Sequence, residues 1–149
     1  MLAITLTTDG WFEGLPKTQS ESIEQLVASG KSEEEVGELW LSRTGSNNTL
    51  GFGVGGPIQS FYTNVKNEFV AFVCGDAKYE EERAQAAQIW NSQGKVGLVS
   101  MVAAVVASTV GLAVAAIVPV IALLFSLAAK IGLNAFCGAC NLDTTTPAG

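Results

Sequence analysis

The residues with the clearest chemical potential lie near the end of the chain, where Cys137 and Cys140 form the sequence CGAC. This C-x-x-C spacing is typical of a redox dithiol or of one half of a zinc site. A redox dithiol of the thioredoxin type is expected within a βαβ pattern, which the surrounding sequence lacks. A zinc site needs two more ligands, which Cys74 or a second chain would have to supply. The preferred interpretation is two small residues at the end of an apolar helix, with metal binding or thiol chemistry across an oligomer as the alternative.

The chain contains no histidine, which excludes whole classes of catalytic site. Histidine-dependent triads, histidine general bases and most zinc hydrolase centres all require it. The sequence therefore predicts a protein that is not an enzyme, with no catalytic residue, no cofactor and no resident metal. The odd number of cysteines and the absence of a secretory signal at the N-terminus predict neither secretion nor a disulfide framework. We expect synthesis in the cytoplasm and association with the inner membrane of the cell.

A glycine-rich stretch, GFGVGG, spans residues 51–56. It differs from the phosphate-binding loops in spacing, and no Lys-Ser or Lys-Thr pair follows it. The simplest interpretation is a flexible connector. The alternative is a hinge, since glycines absorb large changes in backbone angle. The candidate hinge residues are Gly51, Gly53, Gly55 and Gly56.

The most informative segment lies between Lys95 and Lys130, which enclose 34 residues without a charged side chain. As one helix these residues would be about 51 Å long, whereas the hydrocarbon core of a bilayer is about 30 Å thick. A helical hairpin that splits near Gly111 would instead have arms of about 22 and 27 Å. The hairpin places both flanking lysines on one side of the membrane, which the positive-inside bias favours. A long tilted span, kinked at Pro119, is the alternative.

Small side chains recur every four residues in this segment, at Ala103, Ala107, Gly111 and Ala115. Such a ridge allows a second helix to approach closely and predicts packing between copies of the chain. A continuous ridge needs a helix that runs through Gly111, which would move the turn of a hairpin towards Pro119. Both positions for the turn stay open at this stage.

In composition and length, this Ala- and Val-rich segment resembles the uncharged hydrophobic hairpin of colicin-type pore-forming toxins. The resemblance covers about a quarter of the chain and includes no sequence motif. It implies a segment that is hidden inside a soluble fold and enters a membrane later.

The first half of the chain has a different character. Residues 1–94 contain six Lys and Arg against thirteen Asp and Glu, a net charge of −7. This balance excludes nucleic acid as a partner, because phosphate binding needs clustered Lys and Arg. It also argues against electrostatic docking on anionic lipid. Any attachment to a membrane must therefore be hydrophobic.

Local signals divide residues 1–94 into short elements. Alternating side chains predict a strand over residues 2–8. A helix is expected from Thr18 or Ser20 to about Ser29, and the sequence SEEE at 32–35 forms a capping box that opens a second helix. A third helix follows Pro57 and stops at Gly75, and a fourth covers about 77–93. Gly94 follows the last of these predicted helices and separates them from the apolar segment.

Together these patterns predict a mainly α-helical protein. We expect an acidic helical soluble domain over residues 1–94, an apolar transmembrane or hairpin helical element over 95–136, and a short polar tail over 137–149. The preferred function is a non-enzymatic, toxin-like membrane effector that oligomerises and forms a pore or disrupts the membrane. One alternative is a membrane-anchored adaptor that binds a protein partner through its acidic domain. Another is a filament or shell subunit packed through its apolar helices.

Overall fold

The computed structural model describes residues 6–7, 10–44 and 58–138, and within them every regular element is a helix. This confirms the mainly α-helical prediction, with a small helical N-terminal part and long apolar helices after it. The strand predicted over residues 2–8 lies mostly outside the described residues. In chain order the elements are α1 (Lys17–Ala28), α2 (Glu33–Thr44), α3 (Ile58–Cys74), a 3₁₀ turn (Ala77–Tyr79), α4 (Glu80–Val110), α5 (Val114–Ile131) and a short helix α6 over residues 133–138.

The first turn of α2 contains the predicted capping box. The Ser32 amide donates to the Glu35 carboxylate at 2.9 Å, and the Glu35 amide donates to the Ser32 hydroxyl at 3.1 Å. These two bonds satisfy amides at the helix N-terminus that have no partner within the helix. The start of α2 is therefore determined by local sequence.

Helix α4 is interrupted at Gly94, which has φ 70° and ψ −153°. This backbone conformation is rare for residues with a Cβ atom, so glycine is suited to the break. The hydroxyl of Tyr79, just before α4, lies 3.1 Å from the Thr109 hydroxyl near its end, thirty residues later. A straight helix of that length would separate the two by about 45 Å. The stretches before and after Gly94 therefore lie side by side, and Gly94 marks the predicted start of the apolar segment.

The chain turns a second time at Gly111. This residue has φ 80°, and its amide donates to the carbonyl of Ala107 at 2.9 Å, which ends α4. Helix α5 begins three residues later, so the apolar segment is a helical hairpin and not a single span. The turn lies at Gly111 and not at Pro119, which is buried within the continuous helix α5. The predicted kink at Pro119 stays a prediction.

Helix α5 forms the centre of the bundle. It packs against α2, α3 and α4, and most of its side chains are buried. Trp11, from the turn before α1, stacks on Phe125 of α5 with ring centres 4.7 Å apart. Phe69 of α3 meets the same ring edge-on at 4.8 Å. The residues before and after Gly94 therefore share one hydrophobic core, which covers the most apolar helix of the chain.

Candidate membrane-inserting hairpin

We call residues 95–131 the apolar hairpin. Its first arm is residues 95–110, its second arm is α5, and the turn is residues 111–113. The arms are about 24 and 27 Å long, close to the thickness of about 30 Å of a bilayer core. Within the described residues, two helices, Ala77–Val110 and Val114–Ile131, are long and apolar enough to cross a membrane. The core helices of soluble proteins satisfy the same criteria, so length and composition alone do not decide between the two environments.

The first arm is buried on one side only. Leu98, Val102 and Val106 face the core and have no measurable exposure. The opposite side presents small, uncharged side chains to the outside of the bundle. This second set, which we call the small-residue face, consists of Ser100, Ala104 and Ser108.

The predicted ridge of small residues is not continuous in the structure. Ala103 and Ala107 are buried inside the chain, whereas Ala115 is exposed on the other arm. Gly111 lies between them in the turn, because its left-handed backbone ends α4. The exposed residues Ala104 and Ser108 each follow a residue of the predicted ridge by one position. One position corresponds to a rotation of about 100° around the helix.

Both lysines that flank the apolar segment lie at the same end of the hairpin. The Lys95 ammonium is 5.3 Å from the centre of the Trp11 ring. Lys130 lines a small groove with Phe12, the residue next to Trp11. This is the arrangement expected for a hairpin, whose uncharged turn is remote from both charges. We call this end the base of the hairpin.

A polar cluster connects the end of the first arm to the acidic half of the chain. The Tyr79 hydroxyl donates to Glu68 of α3 at 2.5 Å and lies 3.1 Å from the Thr109 hydroxyl. The Lys78 ammonium contacts the same Glu68 oxygen at 2.9 Å. Burial raises the pKa of Glu68, but the hydrogen bonds from Tyr79 and Lys78 outweigh it and leave the pKa below its ordinary value. The cluster is therefore most favourable when Glu68 is ionised.

The tryptophans lie mainly in the core. Trp11 is sandwiched between Phe125 and Trp90, whose ring centre is 6.2 Å away. The Trp11 indole donates to the carbonyl of Thr7 at 2.6 Å. Trp40 is buried as well, whereas Trp90 is partly exposed beside the break at Gly94. The N-terminal turn thus covers the base of the hairpin through stacked aromatic rings.

The cysteines differ from the sequence prediction. Cys137 does not stand as a free thiol beside Cys140, because it forms a disulfide with Cys74, whose Cα atom is 5.5 Å from its own. The sequence predicted no disulfide, since the pairing depends on α3 and α6 meeting in the fold. Cys140 and the candidate hinge glycines 51, 53, 55 and 56 lie outside the described residues. Within the described part of the chain, no three potential metal ligands come together.

Two groups of residues escaped the sequence analysis, namely the polar cluster and Cys74 as a disulfide partner. No local signal could have identified either, because the residues are far apart in sequence. Comparison of the chain with protein-family models, with curated proteins and with solved structures finds no match.

Proposed function

We propose that the protein is a non-enzymatic membrane-active effector that oligomerises and inserts the apolar hairpin into a membrane, where it forms a pore or disrupts the bilayer. The observation that carries this proposal is the hairpin itself. Two helices of near-bilayer length, charged only at Lys95 and Lys130, are joined by an uncharged turn, and the more apolar of them packs against α2, which has four Glu. Such a protein is soluble until the cover opens.

Insertion exchanges one apolar environment for another. Side chains such as Ile117, Val120 and Leu124 leave the protein core and enter hydrocarbon, so their burial from water is retained. Both arms keep their backbone hydrogen bonds because they stay helical, as a bilayer requires. The hairpin enters turn first, since Lys95 and Lys130 at its base stay with the headgroups. The polar contact between Tyr79 and Thr109 has to break before this can happen.

The small-residue face supports the oligomeric part of the proposal. Ser100, Ala104 and Ser108 have no large side chain, so a helix of another copy can approach their backbone closely. Serine hydroxyls can also form hydrogen bonds across such a helix–helix contact inside a membrane. In this proposal lipid and further copies of the chain are the partners, and the inner membrane of the cell is the target.

The decisive experiment places one charge on the hairpin without disturbing the soluble fold. Ala104 is exposed near the middle of the first arm, so Ala104→Asp is compatible with the bundle. In the middle of a bilayer, however, an aspartate costs about 2.5–3.5 kcal/mol. The matched control is Ala84→Asp, which makes the same change at an exposed position of α4 before Gly94. Truncation after Gly94 is a poorer test, because it removes the centre of the core.

The assay is release of a trapped dye from phosphatidylcholine vesicles. We expect release by the original chain and by Ala84→Asp, and roughly a hundredfold less by Ala104→Asp. Equal release by all three chains would refute insertion of the first arm. Cosedimentation with vesicles without release would favour the anchored adaptor, whose acidic domain binds a protein partner. Large assemblies that form without lipid and do not bind vesicles would favour the filament or shell subunit.

A further inference from the structure

The Cys74–Cys137 disulfide encloses the whole hairpin in one covalent loop. Cys74 is the last residue of α3, and Cys137 lies in α6, six residues after the end of α5. The loop between them spans 63 positions and includes both arms and the turn. The bond therefore ties the segment after the second arm to the end of α3.

The bond also holds an aromatic contact in place. Phe136, next to Cys137, packs edge-on against Phe69 of α3 with ring centres 5.9 Å apart. Phe69 in turn packs against Phe125 in the second arm. While the disulfide is intact, α6 stays beside α3 and the three rings stay together. Among the residues that the structure describes, the burial of Phe136 and the packing of Leu133 against the core then hold α6 in place.

The two residues of the bond differ in their exposure. Cys74 is partly exposed at the end of α3, whereas Cys137 is only 5 % exposed. Thiol–disulfide exchange begins when a thiolate attacks one sulfur of the bond, so access decides which one. The geometry favours attack at Cys74 with Cys137 as the leaving group.

We propose that the Cys74–Cys137 disulfide is a thiol-exchange site at which an external dithiol, such as the CxxC motif of another protein, frees the base of the apolar hairpin. A thiolate of the dithiol attacks Cys74, so that a mixed disulfide forms and Cys137 leaves and takes up a proton. The second thiol of the dithiol then attacks the first sulfur of the same dithiol in the mixed disulfide. This step releases Cys74 as a thiol. The protein gains two electrons and two protons, and the dithiol becomes a disulfide. The consequence at a membrane rests on the proposed function.

The test is hydrogen exchange resolved by peptide mass spectrometry, with dithiothreitol as the dithiol. Reduction of the full chain should speed amide exchange in α5 and α6 by at least about tenfold, whereas exchange in α1 and α2 should change little. Cys140→Ser serves as the control, because it keeps the Cys74–Cys137 bond and should respond like the original chain. Cys74→Ser should show fast exchange before any reductant is added.

The proposal is overturned by unchanged exchange in α5 and α6 after alkylation has verified reduction. It is also overturned by an equal acceleration in α1 and α2, which would mean a general loss of stability. Dye release from phosphatidylcholine vesicles is measured separately on the same samples. Faster exchange confined to α5 and α6, without dye release, would support the exchange site and contradict the proposed function.

Discussion

Replacement of Tyr79 by phenylalanine tests whether the polar cluster holds the hairpin in the bundle. The change removes one hydroxyl and keeps the aromatic ring, which packs against Phe72 at 5.6 Å. That hydroxyl donates to Glu68 and contacts Thr109. A hydrogen bond to a charged group contributes about 1.5–3 kcal/mol, and a neutral one about 0.5–1.5. Glu68 keeps Lys78 as a partner, and its side chain is 19 % exposed. We therefore expect the loss of the two hydrogen bonds to cost about 2 kcal/mol, which is the sum of the lower ends of the two ranges.

Thermal unfolding followed by circular dichroism measures this loss. For a chain of this size, about 2 kcal/mol corresponds to a fall in Tm of about 4–8 °C. Ser108→Ala is the control, since it removes an exposed hydroxyl next to Thr109 and should change stability by less than about 0.5 kcal/mol. A double-mutant cycle with Thr109→Val should give a coupling of about 0.5–1 kcal/mol.

The contribution of the polar cluster to stability also depends on pH, and it decreases as the pH falls. The folded protein lowers the pKa of Glu68, so this group stabilises the fold at pH values above its pKa in the unfolded chain, about 4.3. The stabilisation is lost as the pH falls from there through the lower pKa of the folded state. The difference in Tm between the original chain and Tyr79→Phe should therefore be larger at pH 7 than at pH 3.

Two outcomes would refute the reasoning about the cluster. One is a Tyr79→Phe protein that is as stable as the original chain. The other is a difference in Tm between the two proteins that is as large at pH 3 as at pH 7. The proposed function adds an opposite expectation for activity, because a weaker contact at Thr109 should let the hairpin leave more easily. Dye release should therefore rise while stability falls.

Three further predictions concern the turn, a helix cap and the base of the hairpin. Gly111→Ala should lower the free energy of unfolding in urea by about 1–2 kcal/mol, because a left-handed backbone is strained for alanine. The control is Gly138→Ala, which should be nearly neutral because φ of Gly138 is not positive. Ser32→Ala should cost about 1 kcal/mol through loss of the capping box, and Ser32→Asp should restore most of it. Trp11→Ala should cost about 3–5 kcal/mol and should change the emission of Trp90, its stacking partner, whereas an unchanged Tm would contradict the burial of the N-terminal turn.

Several features could be predicted because their signals are local. The capping box at Ser32 and Glu35, the stops at Gly75 and Gly94, and the uncharged segment between Lys95 and Lys130 depend only on neighbouring residues. Caps and glycines act within one helical turn, and a run without charges is visible by inspection. The mainly helical fold and the option of a hairpin that splits near Gly111 followed from these signals alone.

The tertiary structure decided what the sequence left open, because those features depend on helix packing. A four-residue spacing describes Ala103 and Ala107 as well as Ala104 and Ser108, yet packing buries the first pair and exposes the second. The contact of Tyr79 with Thr109 and the bond of Cys74 to Cys137 join residues 30 and 63 positions apart. Such pairs form only once the breaks at Gly94 and Gly111 have folded the helices onto one another, and no local pattern records that geometry.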